Sequence, residues 1–238
     1  MNAIFISARS NSSRLKNKLL TKIKNKHAIE YVIEGCKKSK LVDKIVLCTT
    51  KNKNDSIFCE IAKSHKINSH RGEELCKLKR WKGACEAFDL DFFVTADGDD
   101  LLYDGGLADL CFQQKQKKYL LNGQGLYNDV YGIPLSIINF CLENTTDIIE
   151  THVLVDFARE RGLPVQNLRN VPWYFKKHNM RLTLDYYEDF LFFEKVISNL
   201  PDNFTFLDAI QYLKENEEAV NINLFRETDW RIHQNNKG

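Results

Sequence analysis

The stretch Asp91-Phe92-Phe93-Val94-Thr95-Ala96-Asp97-Gly98-Asp99-Asp100 runs an apolar strand straight into three acids packed around one glycine. Carboxylates at that density suit a hard divalent cation, which prefers oxygen ligands. On a chain that stays extended, Asp97 and Asp99 project to the same side, and Gly98 lets the backbone approach whatever the cation holds. A nucleoside triphosphate is the expected cargo. Asp-Gly-Asp-Asp is equally the composition of an ordinary turn closing a strand, so these residues alone leave both readings open.

A second polar segment follows the first apolar run: Ser7-Ala8-Arg9-Ser10-Asn11-Ser12-Ser13-Arg14-Leu15-Lys16-Asn17-Lys18. A loop with Arg9, Arg14, Lys16 and Lys18 at the carboxyl end of a strand can gather phosphate oxygens through guanidinium forks, ammonium groups and backbone N–H groups. The glycines and the Lys-Ser/Thr ending of a Walker A loop are missing from it. Among the remaining polar candidates, Asp185 stands at the end of an expected strand, while Asp189 near a helix start is accounted for by the helix macrodipole. His152, beside Glu150 and Thr151, is the histidine best placed for a substrate contact, whereas His178 and His233 lie in polar surroundings that suggest exposure.

The elements that must carry these groups alternate in the manner of βαβ units. A strand over Ala3 to Ser7 precedes a helix over His27 to Lys38, and a strand over Lys44 to Thr50 precedes a helix over Asp55 to His65. A short strand at Ile67 to His70, a helix at Glu73 to Phe88 and a strand at Asp91 to Ala96 in the sheet's centre complete the first half. Nearly continuous apolar strands imply burial on both faces. In such sheets ligands sit at the carboxyl ends of the strands, where the basic loop and the acids both fall. Later segments read as a helix at Leu107 to Gln116, strands at Tyr119 to Asn122 and Val130 to Ile133, and helices at Pro134 to Glu143 and Asp147 to Arg161. A turn is expected at Asn122-Gly123-Gln124-Gly125. Arg181 to Asp185 reads as a strand, Tyr186 to Asn199 as a helix and Phe204 to Lys214 as the last helix.

At 238 residues, with 43% hydrophobic and 11% aromatic residues, one α/β domain with a substantial core is expected. It divides into a nucleotide-binding half, 1–104, and a second half, 105–238, for which the family resemblance given below implies acceptor binding. The net charge of +2, from 34 basic and 32 acidic residues, argues against a nucleic-acid partner. Seven scattered cysteines without a Cys-x-x-Cys pair argue against a zinc site or a disulfide framework. Ala3 to Ile6 is too short for the core of a signal peptide, and no run reaches the ~20 apolar residues of a membrane span, so a cytoplasmic setting without a membrane partner is expected.

Together these segments resemble the cytidylyltransferases of the CMP-Kdo synthetase and CMP-sialate synthetase type, most closely the relatives named for spore coat polysaccharide biosynthesis. That family opens with Gln-Ala-Arg-x-x-Ser-x-Arg-Leu-Pro-x-Lys; residues 7–18 keep the Arg, the Ser, the Arg-Leu and the final Lys, and depart at Ser7 and Lys16. Cys48-Thr49-Thr50 looks like its Ala-Thr segment, and Ser69-His70-Arg71-Gly72 like its Phe-Arg-Gly segment. Gly98-Asp99-Asp100-Leu101-Leu102 resembles Gly-Asp-x-Pro-Leu without the proline. Arg181-Leu182-Thr183-Leu184-Asp185-Tyr186-Tyr187-Glu188-Asp189-Phe190 reproduces Arg-Leu-Thr-x-Asp-x-x-x-Asp-Phe. The motifs span residues 3 to 193, but 105–180, where the family builds its acceptor pocket, match poorly.

The resemblance implies a Rossmann-like, mostly parallel mixed sheet of the GT-A-like class, and transfer of CMP from CTP to a sugar acid or sugar phosphate with release of pyrophosphate. It implies a role in surface polysaccharide precursor synthesis and leaves room for a homodimer. Arg9, Arg14 and Lys18 inherit the triphosphate, with Ala8 and Ser12 in the same loop. Asp99 and Asp185 inherit Mg²⁺, with Asp97 as an additional or outer ligand. Thr49 and Arg71 are candidates for the base and ribose. No side chain is nominated as general base. Two other readings remain: a GT-A glycosyltransferase holding a nucleotide-sugar through Asp97-Gly98-Asp99, and a non-catalytic nucleotide-binding protein.

Overall fold

A computed structural model of the chain describes residues 1–12, 14–145, 154–176 and 179–235. The opening strand β1 (Ala3–Ser7) alternates its buried side chains between two apolar layers: Ala3 and Phe5 join one, Ile4 and Ile6 the other. A two-stranded ribbon of β2 (Lys22–Ile23) and β3 (Lys26–His27) leads into helix α1 (Ala28–Lys37). Then come β4 (Lys44–Thr50), α2 (Ser56–Ser64), β5 (Asn68–Gly72), α3 (Lys77–Phe88), β6 (Phe92–Asp97) and α4 (Gly105–Gln114). The later elements are β7 (Leu120–Gly123), β8 (Val130–Pro134), α5 (Leu135–Asn144), α6 (Leu154–Glu160), β9 (Val165–Asn167), α7 (Tyr187–Ser198), α8 (Phe206–Glu215), α9 (Glu217–Asn221) and α10 (Arg226–Asn235).

Seven strands form one sheet in the order β5-β4-β1-β6-β8-β7-β9, with β6 at its centre. Pairing is parallel from β5 through β6 and antiparallel on both sides of β8, and β9 returns parallel to β7. Helices cover both faces: α1, α2, α4, α7 and α8 on one, α3, α5 and α6 on the other. This explains why the strands read as apolar throughout, since no face is left for water. Phe5 stacks on Phe93 at 4.2 Å between ring centroids, with Trp81 tilted against Phe93 at 5.3 Å, which locks α3 onto the sheet centre. Ser7 lies level with Cys48 and Asp97 in the register, so three neighbouring strands end together at one rim.

Four expectations change. Arg181 to Asp185 joins no strand; Leu184 N–H instead donates to the Asp99 carbonyl at 3.0 Å. Arg181 and Asp185 are as buried as Leu182 and Leu184. Helix α3 begins at Lys77 rather than Glu73: Cys76 is extended, with φ −102° and ψ 106°, and the carbonyls of Glu73 and Glu74 accept from the Arg80 guanidinium. Phe204 to Lys214 does not end the chain's helices, since α9 and α10 follow. Helix α10 lacks an apolar stripe and is held by ion pairs Arg226–Asp229 and Arg231–Glu227 within it and Arg226–Glu188 to α7. The helix expected over Asp147 to Arg161 is seen as α6, and residues 146–153 lie outside the described residues.

Candidate active site

The basic loop leaves β1 with Ala8 N–H on the Cys48 carbonyl and Ser10 N–H on the Asp55 carboxylate at 2.8 Å. Asn17 takes a left-handed conformation, φ 55°, and starts a short 3₁₀ turn over Lys18–Leu20. Leu19 is buried beside Gly98, and this anchor turns Lys18 toward the acids. Lys18 Nζ sits 2.5 Å from Asp99 Oδ2 and 2.8 Å from Asp185 Oδ1. Arg14 Nη2 reaches the same Asp185 oxygen at 2.5 Å. The loop after β1, the turn after β6 and the segment before α7 therefore meet in one cleft.

Asp185 is 1% exposed and survives as an anion only because cations surround it. Arg181 Nη2 contacts its second oxygen at 3.3 Å. Burial pushes its carboxyl up, but Lys18 and Arg14 outweigh this and bring it down to about 2. Burial likewise works against the Lys18 ammonium, and Asp99 and Asp185 reverse the sign and raise its pKa. Arg14 keeps two further donors, Nε and Nη1, shut away from solvent with no acceptor. Two such orphans on a buried guanidinium mark a place where an oxyanion would be stabilised.

Asp97 and Asp99 do not share a side. Strand β6 ends at Asp97, and Asp100 N–H turns back onto the Asp97 carbonyl. Asp97 pairs with Lys77 Nζ of α3 at 2.6 Å, while Asp99 pairs with Lys18 on the opposite side. The turn reading thus prevails over the extended one, and Asp97-Gly98-Asp99 does not present two carboxylates to one cation. Gly98 is required for a different approach from the one expected: a Cβ there would lie 2.5 Å from the Ser7 carbonyl oxygen, so the space is filled by β1 rather than by a ligand.

The other expected residues distribute unevenly. Arg9 is exposed and forms no ion pair among the described residues, and Ser12 is half-buried in the same loop. Thr49 is buried with its hydroxyl unpaired. Arg71 turns its guanidinium onto the carbonyls of Thr50 and Asn52, bracing the loop after β4. Asp189 caps α7 by accepting from Asp185 and Tyr186 N–H, and also holds Arg181. His152 and His178 lie outside the described residues. Sequence reasoning missed Arg181, Lys77 and Arg80; Arg181 opens the same motif as Asp185, and its spacing of four was the available signal.

A mostly parallel sheet with a cationic loop and paired acids at its carboxyl rim defines an α/β nucleotide-binding enzyme. The family model for cytidylyltransferases matches residues 3–225, and the chain belongs to that family. It is 31% identical over 239 residues to an uncharacterized protein of Methanocaldococcus jannaschii, covering 92% of both chains. Among solved structures it is similar to a cytidylyltransferase from Leptospira borgpetersenii, with 23% identity, TM-score 0.81, and 92% and 96% of the two chains covered. It shares the fold of a CMP:2-keto-3-deoxy-manno-octonic acid synthetase complexed with CTP, at 12% identity and TM-score 0.63 over 83% and 98%.

Proposed function

We propose that this cytidylyltransferase moves CMP from CTP to an oxygen of a sugar acid or sugar-phosphate-like acceptor, in the cytoplasm, as a step toward a surface glycan precursor. The observation that carries the reading is the Lys18 ammonium held between Asp99 and Asp185, with the unpaired donors of Arg14 beside it. In the reaction an acceptor oxygen bonds to the α-phosphorus, the bond to the bridging oxygen breaks, and pyrophosphate leaves with that electron pair. Negative charge grows on the leaving group and the equatorial oxygens, so fixed cations lower the barrier most. Arg14 and Lys18 are assigned to these oxygens, Arg9 to the distal phosphates, and Ala8 and Ser12 to the loop backbone that follows them. Thr49 and Arg71 are kept for the base and ribose region.

The donor chemistry fits a magnesium ion carried in on the triphosphate. Among the described residues no group of three or more His, Cys, Asp or Glu is placed to hold a metal. Mg²⁺ at phosphate sites is bound by one or two carboxylates plus phosphate oxygens and waters, which is what Asp99 and Asp185 could supply. The Lys18 ammonium is itself a cation bound by both, a stand-in for the ion. When bound, magnesium would add charge neutralisation at the phosphates. Lys18 would then turn from the carboxylates to a phosphate oxygen.

The test is pyrophosphate release from CTP and Mg²⁺ across a panel of sugar acids and sugar phosphates. Asp99→Ala is expected to abolish turnover while leaving the circular-dichroism spectrum intact; full magnesium-dependent turnover by that variant overturns the assignment. Free thiols at five buried cysteines support the cytoplasmic setting. Exposed Tyr187, Phe225 and Ile232 are the surface we assign to a homodimer, to be checked by sedimentation.

A further inference from the structure

Between β6 and β8 the sheet changes character toward the rim. Pairing of the two strands stops at Val94 and Gly132. One residue further, Tyr131 N–H donates to the Thr95 hydroxyl at 3.0 Å, and the Thr95 carbonyl accepts from the Tyr103 hydroxyl at 3.2 Å instead of from β8. The strands therefore part at this level. Tyr131 stands on the face that α3, α5 and α6 cover and is 1% exposed. Its hydroxyl is shut from solvent with no hydrogen-bond partner among the described residues. An unpaired buried hydroxyl costs stability, and a ligand that completes it recovers that cost.

Strand register places polar neighbours beside that phenol. Asn122 lies opposite Tyr131 and Asn167 opposite Asn122, so the three share one face, and Asn122 Nδ2 donates to Asn167 Oδ1 at 2.9 Å. Further from the rim the same face is apolar, with Phe93, Ile133 and Leu120. Toward the rim, alternation puts Asp97 two residues beyond Thr95 and Asp129 two residues before Tyr131 on this face. Lys77 is drawn to Asp97 at 2.6 Å, and Arg159, near Asn167, to Asp156 at 3.5 Å. Burial pushes the Tyr131 pKa up, and Asp129, Asp97 and Asp156 push it the same way, so the phenol stands among carboxylates.

We infer that Tyr131 is a specificity-determining residue of the acceptor site, and that the acceptor is a polyhydroxylated molecule with no second anion at the end remote from its reacting oxygen. A sugar hydroxyl both donates and accepts. It can complete the Tyr131 phenol and the Asn122 amide and donate to Asp129, where a second carboxylate or phosphate would be repelled. Asp97 joins this polar row to the Lys18 cluster, because Gly98 alone separates it from Asp99 in the chain. The inference rests on the nucleotidyl transfer proposed above and names the chemistry of its acceptor.

Tyr131→Phe tests this through pyrophosphate release from CTP with the best acceptor of the sugar-acid and sugar-phosphate panel. The KM for that acceptor should rise about tenfold, the cost of one lost hydrogen bond, while CTP affinity in calorimetry stays at the wild-type value. Without ligand the variant should melt no earlier than wild type, since it loses an unpaired hydroxyl. With wild type, oxidising the terminal CH₂OH of the same acceptor to a carboxylate should lower kcat/KM by about tenfold or more. An acceptor KM unchanged in Tyr131→Phe, whatever its Tm, means that the phenol only fills the core, and overturns the inference. Equal kcat/KM for the oxidised acceptor overturns the class assigned to it. Should Tyr131→Phe not fold, Asn122→Leu with a wild-type acceptor KM overturns the inference instead. Wild type that releases no pyrophosphate with any member of the panel defeats the nucleotidyl transfer and this inference with it, a result distinct from turnover that is indifferent to Tyr131.

Discussion

Lys18 shows how a single side chain can hold a site ready. Its ammonium neutralises two carboxylates that would otherwise repel each other, one of them almost fully buried. Lys18→Ala should therefore weaken CTP binding in calorimetry, and should also destabilise the ligand-free protein by about 1–3 kcal/mol, since Arg14 and Arg181 still cover Asp185. Magnesium alone should restore part of that loss in the variant, read as a rise in Tm larger than in wild type. Asp100 makes a contrasting prediction. It is buried, its carboxyl has no hydrogen bond or ion pair among the described residues, and burial followed by Asp99, Asp97 and Asp129 pushes its pKa well above the ordinary 3.8. The folded state thus holds this proton more tightly than the unfolded state. Its contribution is full below about pH 3.8 and is lost as pH rises from there through the folded pKa. Asp100→Asn should make urea stability less dependent on pH in that window and greater than wild type above it; an unchanged slope would rule the account out. That Arg14, Lys18, Asp99 and Asp185 would share one cleft was legible from the family motifs that carry them, and their ion pairs bring them together. The parting of Asp97 from Asp99 was not, because it depends on a turn whose direction is set by the carbonyl of Ser7.

At the scale of elements, the segment before α7 owes its position to charge rather than to a ladder. Arg181 is fully enclosed and holds Asp189 through Nε at 2.9 Å, Asp185 through Nη2 and Glu227 of α10 through Nη1 at 3.3 Å. Asn223 adds Nδ2 donations to the Arg181 carbonyl and to Asp189. Arg181→Met should cost about 3–5 kcal/mol in urea unfolding, because it strands buried carboxylates. A loss below 1 kcal/mol would mean that water or Arg14 takes over. Arg181 to Asp185 reads as a strand ending in an acid, and no local pattern could reveal that its charged ends are enclosed as fully as its leucines. The parallel strands and the helices between them were legible, since their apolar runs and amphipathic stretches have different periods. The ribbon at Lys22 to His27, β9 and α10 were not: the first two are two or three residues long and the last is almost wholly polar.

For the whole molecule, a net charge of +2 conceals a division across the sheet rim. Cations gather at the ends of β1 and β4, acids at the turn after β6 and the start of β8, and Lys18 lies at their boundary. Composition alone reported only the sum. The order β5-β4-β1-β6-β8 converts that sum into a direction, from the cations at β4 and β1 to the acids beyond β6. The charge gradient along the rim is thereby a property of topology as well as of individual residues.

The bond from Leu184 N–H to the Asp99 carbonyl joins positions far apart along the polymer. A growing polypeptide that has left the ribosome only as far as the turn after β6 owns Arg14, Lys18 and Asp99, yet it lacks the buried acid that completes the cluster. Such a long closure is entropically late, so the cleft is assembled only once the segment before α7 has emerged. The half-made chain thus cannot form the complete cluster before the rest has arrived.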